Sequence, residues 1–261
     1  MRTIAIFNQK GGVGKTITAA TMAHILATVH GKRVLLQDCD GQGNLSQYFG
    51  VDADAVPTTL DLLQGNCEPF YGHIVTQIAD RLDIIPADAH LLLADLQTIS
   101  SGKRNLAAFE DLRAAIVEDD AYDFYILDCP TGLTTASAAA LVAADDVIIP
   151  IRLDAFSTEG LTVLIMLVDQ MRQLNPRLRV AGILPTHFER APEQLEAIRY
   201  LQEHTGLPVF KTAIYNSPAI SQSTYSDKQL VEYSPKAWAS RDYKRFVREY
   251  LERTTGGVAN G

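Results

Sequence analysis

Cysteine is scarce in this chain of 261 residues: Cys39, Cys67 and Cys129 make three, an odd number without C-x-x-C spacing. That excludes a disulfide framework and argues against a zinc site. Small buried thiols are the ordinary reading, and a metal or redox role arises only if Cys39 and Cys129, each following a strand-terminal aspartate, meet in space. Long apolar runs are also missing, since none reaches the roughly 18 residues of a membrane span. The N-terminus reads directly as a strand with no leader before it, so a cytoplasmic protein is expected. There is no excess of positive charge: 23 Lys and Arg stand against 31 Asp and Glu, a net −8, so any nucleic-acid contact must be a local patch. No Pro-, Gly- or Ser-rich linker and no repeat interrupts the chain, which implies a single domain over 1–253 with a disordered tail over 254–261.

What is present is a βα alternation. Short apolar runs at Thr3–Phe7, Arg33–Asp38, Leu82–Pro86, Phe124–Asp128, Asp146–Ile151, Val180–Leu184 and Pro208–Thr212 alternate with helical patterns, clearest at 17–29, 104–117, 134–144, 158–173, 193–204 and 236–253. Runs without in/out alternation are covered on both faces. The expected fold is α/β: a doubly wound, mostly parallel sheet with helices on both faces, binding its ligand at the carboxyl ends of the strands.

The first such end carries Asn8-Gln-Lys-Gly-Gly-Val-Gly-Lys-Thr16. Glycines let successive backbone N–H groups converge on a phosphate, a lysine reaches the β/γ oxygens, and a threonine hydroxyl meets Mg²⁺. Gly11, Gly12, Val13, Gly14, Lys15, Thr16 and Ile17 fill those places, before a helix whose N-terminus favours the anion. ATP and Mg²⁺ are the implied ligands. The motif departs from G-x-x-x-x-G-K-[ST] at Gln9 and adds Lys10, five positions before Lys15. Two ammonium groups at one loop repel unless Lys10 points away from its own nucleotide or meets a second one; the alternative is a solvated lysine. Asp38 and Asp40 close the second strand and Asp128 closes the apolar run Tyr125–Asp128, carboxylates at strand ends beside the loop, oxygen ligands of the kind a Mg²⁺ site uses. Asp128 alone also reads as a helix N-cap.

Lys10-Gly-Gly-Val-Gly-Lys-Thr16 with Asn8-Gln9 resembles the deviant Walker A motif of the ParA/MinD ATPases, nearest the ParA/Soj branch, and the resemblance runs to about residue 250. It implies that Lys10 crosses a face-to-face, ATP-bound homodimer to touch the partner's phosphates. It also implies that, with Lys10 and Lys15, one aspartate, taken as Asp38, positions the hydrolytic water while Asp40 and Asp128 join Thr16 at the metal. Gly41 and Thr131 replace prolines of the family pattern, which suggests a looser switch segment at Gly41. Ser157–Leu161, with Glu159, resembles the segment where dimer partners meet; as a plain first-turn carboxylate Glu159 suits the helix dipole. Adenine is expected near 184–190 and 213–220, with Tyr215 stacking on it or sitting as a core tyrosine.

The resemblance implies a slow, partner-stimulated ATPase that positions plasmid, chromosomal or mobile-element DNA with a ParB-like adaptor, in the cytoplasm and on the nucleoid. The arginine that Soj-like proteins use for nonspecific DNA contact is Ala219 here. Arg241, Lys244, Arg245 and Arg248 fall at i, i+3, i+4 and i+7 opposite an apolar face, a substitute DNA surface, or else a solvated face with Arg245–Glu249 and Arg248–Glu252 pairs. Arg190, Lys103 and Arg104 are further cations without pattern. The competing readings are a MinD-like membrane-associated positioning ATPase, for which no membrane segment is expected here, an ATPase positioning a non-DNA cargo, and a metabolic P-loop enzyme or iron–sulfur carrier, the last lacking its cluster cysteines.

Overall fold

The computed structural model describes residues 1–65, 71–101, 105–153, 157–226 and 228–255. Cys67, Lys103 and Arg104 lie outside the described residues, as do the side chains of 157–160, Glu159 among them. The strands are β1 (Arg2–Ile6), β2 (Val34–Asp38), β3 (Thr76–Ala79), β4 (Leu82–Ile85), β5 (Phe124–Asp128), β6 (Asp146–Arg152) and β7 (Arg179–Thr186). The helices are α1 (Lys15–Thr28), α2 (Asn44–Tyr48), α3 (Thr59–Gln64), α4 (Leu92–Ser101), α5 (Ala108–Glu118), α6 (Thr135–Ala143), α7 (Ser157–Met171), α8 (Pro192–His204), α9 (Pro218–Ser223), α10 (Leu230–Tyr233) and α11 (Trp238–Thr255).

The seven strands lie in the order β3-β4-β2-β5-β1-β6-β7, parallel except for β3. Side chains alternate between two cores as the strand period of two requires. Ala5, Phe7, Leu35, Tyr125, Leu127, Val147 and Ile149 point to one, and Ile4, Ile6, Leu36, Ile126 and Ile148 to the other. Helices α5, α6 and α7 pack side by side, and α1 packs against α11. Tyr243, Phe246, Val247 and Tyr250 of α11 are at most 1% exposed. At about 1.5–3 kcal/mol for each large apolar side chain fully buried, this face fixes α11 to the body.

Two expectations for the ends of elements change. Residues 208–212 are not a strand: a single bridge pairs Ile183 with Val209, and the Lys211 and Thr212 amides donate to the Glu249 carboxylate at 2.8 and 2.9 Å instead of to a ladder. The last helix runs to Thr255, so the start of the expected tail is helical, and 256–261 lie outside the described residues.

Candidate functional site

β1 delivers its loop to the middle of the sheet, between the ends of β5 and β6. Buried Asn8 braces the loop, its Nδ2 donating to the Pro150 carbonyl at 2.7 Å and its Oδ1 accepting from the Lys10 amide at 3.0 Å. Gly12 and Gly14 have φ of 70° and 86°, left-handed values that side-chain-bearing residues adopt only at a cost, and Gly14 is the N-cap of α1. The Thr186 hydroxyl lies 2.8 Å from the Val13 carbonyl and 3.1 Å from that of Ile151, tying the loop to β6 and β7.

Lys15 is 7% exposed, and its Nζ donates to the Lys10 carbonyl at 3.1 Å and to Thr131 Oγ1 at 3.2 Å. Burial lowers its proton affinity, against the opposing pull of Asp128. Thr131, one of the two departures from the family's prolines, thus supplies an oxygen to the loop lysine.

The β2–β5 register places Asp38 directly opposite Asp128. Asp128 is 1% exposed and neither of its oxygens has a hydrogen-bond partner. Burial, and then the neighbouring Asp38, pushes its carboxyl well above the usual range; the Thr16 hydroxyl and Lys15 ammonium are near enough to oppose this, without a well-formed bond to either oxygen. A buried carboxylate without a donor, beside a threonine hydroxyl and Asp40, is an all-oxygen set of the hard type that Mg²⁺ takes, so the residues fit the metal.

The two aspartates of β2 have different surroundings. Asp38 is wholly buried; its Oδ2 accepts from the Ser46 amide and hydroxyl at 2.9 and 2.8 Å, and its Oδ1 from the Asp40 amide at 3.1 Å. Burial pushes its pKa up to about 6 against the Ser46 bonds. Asp40 is half-exposed and lines a cavity of about 650 Å³ with Gly12, Gly14, Lys15, Thr16 and Ile17. That volume suits a nucleotide-sized ligand. The structure therefore puts Asp40, not Asp38, at the water-accessible position, because Asp38 spends its acceptors on the chain that follows it.

The cavity continues along Asn44, Gln47, Tyr48, Thr224 and Tyr225, which sequence reasoning did not single out. Only Asn44 carried a signal, as the end of the family's Asp-to-Asn segment. Lys10 is half-buried and does not line this cavity, and Tyr215 does not either. The Tyr215 ring meets Phe188 edge-on with centroids 5.1 Å apart and lies 6.4 Å from that of Trp238, so it belongs to an aromatic cluster.

Residues 1–180 match the family model described as an AAA domain. Over 97% of its length the chain is 34% identical to the chromosome partitioning protein ParA of Caulobacter vibrioides, covering 95% of that protein. It is likewise 35% identical, over 97% of this chain and 96% of the relative, to the chromosome-partitioning ATPase Soj of Thermus thermophilus. The chain belongs to the ParA/MinD family of ATPases. Among solved structures, cobyrinic acid a,c-diamide synthase from Mycobacterium smegmatis, with bound ADP and magnesium, superposes with a TM-score of 0.81 at 28% identity, covering 98% of this chain and 96% of that one.

The basic stripe of this ParA/MinD chain is real as a surface. Arg241, Arg245 and Arg248 are exposed and Lys244 is half-buried. The Arg241 guanidinium carbon sits 5.6 Å from the Trp238 ring centre, and Arg245 is 3.5 Å from Asp242. The Arg245–Glu249 pair does not form, since Glu249 is held by Arg253 at 2.6 Å and by the two loop amides; an Arg248–Glu252 pair is also absent among the described residues. Ala219, at the family's arginine position, lies on α9 and is buried in the core that α1 and α11 share.

Proposed function

We propose that the chain is a slow ATPase switch: Mg²⁺ and ATP bind at the loop, two copies pair across their bound nucleotides, and the pair positions DNA with a ParB-like adaptor that stimulates hydrolysis, in the cytoplasm and on the nucleoid. The observation that carries this reading is the separation of the two lysines. Lys15 lines the nucleotide cavity while Lys10, held by the Asn8 bridge to Pro150, does not. A cation so placed is suited to a neighbouring copy's phosphates. When bound, Mg²⁺·ATP supplies an electrophilic phosphorus whose departing oxygens gather negative charge. Lys15 exchanges its bonds to the Lys10 carbonyl and Thr131 for that charge, and the backbone amides at the start of α1 add the helix dipole.

Within the switch segment, Asp40 orients water at the cavity wall. Asp38 acts as a positioning residue by holding Ser46 and the Asp40 amide. Asp128 and Thr16 stand where the metal or its water would be held. Few acid–base groups surround the cavity, in keeping with a slow timer. A lipid-bound mode that uses the apolar face of α11 is disfavoured, because that face is already buried against the body.

Light scattering with Mg·ATP tests the reading. Lys10→Ala is expected to bind nucleotide and remain monomeric, Lys15→Ala to lose binding, and Asp40→Ala to dimerise but turn over poorly. A Lys10→Ala protein that pairs like the parent would refute the role given to Lys10.

A further inference from the structure

Cys39 and Cys129 stand under the site, and nothing above uses their thiols. The β2–β5 ladder runs one residue past both strands: Asp38 faces Asp128, and the Cys39 amide donates to the Asp128 carbonyl at 3.0 Å, which makes Cys39 and Cys129 the next register pair. Such neighbours on parallel strands are roughly 4.8 Å apart, inside the roughly 4.4–6.8 Å Cα separation of a disulfide. Their side chains project to the same face, and both belong to one core cluster. Each thiol makes only a long contact to a carbonyl two residues back, Cys39 to Gln37 at 3.9 Å and Cys129 to Leu127 at 3.8 Å, so neither is committed to a strong bond. A second cavity, of about 260 Å³, opens beside the switch segment and is lined by Cys39 together with Gly41, Gln42, Leu92, Pro130 and Thr131. Cys129 is not on its wall.

We propose that Cys39 and Cys129 form a dithiol oxidation site beneath the switch segment, which takes an oxidant of the peroxide class through this cavity and closes to a disulfide. Each cysteine is 1% exposed, and Cys39 reacts first because it is the one of the two that lines the cavity: its sulfur attacks one peroxide oxygen, the O–O bond breaks, one water leaves and a sulfenic acid remains. The Cys129 sulfur then displaces the hydroxyl as a second water, with the two thiol protons leaving in the waters. One peroxide is reduced to two waters while two thiols become one disulfide. Side chains that project side by side from neighbouring parallel strands start with their Cβ atoms at about the strand spacing, roughly 4.8 Å, so a bond that holds them at about 3.8 Å draws them together by roughly 1 Å, shared by backbone that carries Asp38 and Asp40 on one side and Asp128 on the other. Misplacement on that scale near reacting groups costs on the order of 100-fold in rate.

The rate effect rests on the proposed ATPase reading; the covalent chemistry does not. Full-length protein carrying Cys67→Ser is treated with hydrogen peroxide, then denatured in an alkylating agent, digested and weighed. The expected product is a peptide pair joined between Cys39 and Cys129, lighter by two hydrogens than the thiol forms, while Cys129→Ala in the same background stops at a Cys39 sulfenic acid that dimedone captures. ATP turnover of the oxidised protein should fall about 100-fold and return with dithiothreitol. Two thiols still alkylatable after peroxide, or a bond joining two chains instead of Cys39 to Cys129, would overturn the site. A disulfide formed with turnover unchanged would overturn its effect on the switch. Absence of turnover in the untreated protein would count against the ATPase reading and leave the peptide masses to decide the dithiol.

Discussion

Asp38→Asn removes a charge that the fold buries completely, and its effect should depend on pH with a definite sign. The ordinary value for this carboxyl is 3.8 and the folded protein raises it to about 6. The folded state therefore holds the proton more tightly than the unfolded chain does. The stability Asp38 contributes is greatest below the unfolded value, declines as pH rises between 3.8 and about 6, and is level above that. A shift of about two units, at about 1.4 kcal/mol each, amounts to about 3 kcal/mol of stability missing at neutral pH. Asparagine avoids this loss but gives up an acceptor: the side chain accepts from Ser46 N, Ser46 Oγ and Asp40 N, and an amide nitrogen cannot replace one of those oxygens. That costs about 1 kcal/mol at every pH. Without nucleotide and with chelator present, Asp38→Asn should unfold about 4–8 °C above the parent near about pH 7.5, and at or below the parent near about pH 4.5. The assay is differential scanning calorimetry over that range. A difference that stays constant across it would refute the argument from burial.

Tyr250→Phe removes the hydroxyl that donates to buried Asp146 at 2.6 Å, leaving Arg2 and Arg179, among the described residues, on that carboxylate; a bond to a charged group is worth about 1.5–3 kcal/mol, so melting should fall by several degrees, and an unchanged transition would remove this network as an anchor of α11. Gly41→Ala should be tolerated, because its Cβ would press on the flexible Leu92 side chain at 3.1 Å and meet the Leu92 amide nitrogen at an ordinary 3.5 Å, whereas Gly43→Ala should cut both stability and ATP turnover, because φ is +63° and its Cβ would lie 2.8 Å from the Ala87 carbonyl oxygen; equal behaviour of the two variants in a melt and a phosphate-release assay would contradict this. If the α11 face binds DNA, Arg245→Ala with Arg248→Ala should flatten the slope of log affinity against log salt by roughly 2 without changing ATP binding. A salt series on duplex DNA with ATP reads this, and an unaltered slope would discard that surface.

The parallel sheet and the loop were legible because their signals are local. Phe124–Asp128 coincides with β5, and strand, glycine turn and helix follow in order at Ile6, Gly14 and Lys15. The edge strand β3 was not legible: it is four residues long, partly exposed and antiparallel, so it lacks the continuous apolar run that marked the others. The short helices α2, α9 and α10 were missed for a related reason, since four to six residues are too few for a helical period to show. Within the site, sequence named the carboxylates and the resemblance gave the water to Asp38, whereas the structure buries Asp38 and sets Asp40 on the cavity wall. Asp38 and Asp40 differ only in which is captured by Ser46, and that capture depends on a turn whose geometry is not written in residue identity. Tyr215 stayed open between the base and an aromatic cluster because the two settings look alike in sequence; the structure packs its ring against Phe188 and near Trp238.

That same turn bears on the glycine that stands where the family has a proline. A looser switch segment was expected at Gly41, since glycine leaves φ unrestricted. The structure shows the restriction supplied by contacts instead. The Gly43 amide donates to the Asp40 carbonyl at 2.9 Å and the Gln42 amide to Asp40 Oδ1 at 3.0 Å, which closes the turn at Asp40–Gly43. Gly43 is wedged against Ala87, and the Ser46 hydroxyl joins both ends of the segment to the sheet, donating to Asp38 Oδ2 at 2.8 Å while accepting from the Ala87 amide at 2.9 Å. Thr59 adds a third tie, its hydroxyl donating to the Asp38 carbonyl at 2.6 Å. At Gly41 itself, the space a proline ring would claim is bordered by Leu92 at 3.1 Å. The segment is therefore held by partners on β2, on α3 and on the loop after β4, and Gly41 is buried against Leu92 of α4. These ties hold Asp40 at the cavity wall, and Gly41 lines the smaller cavity that Cys39 also lines.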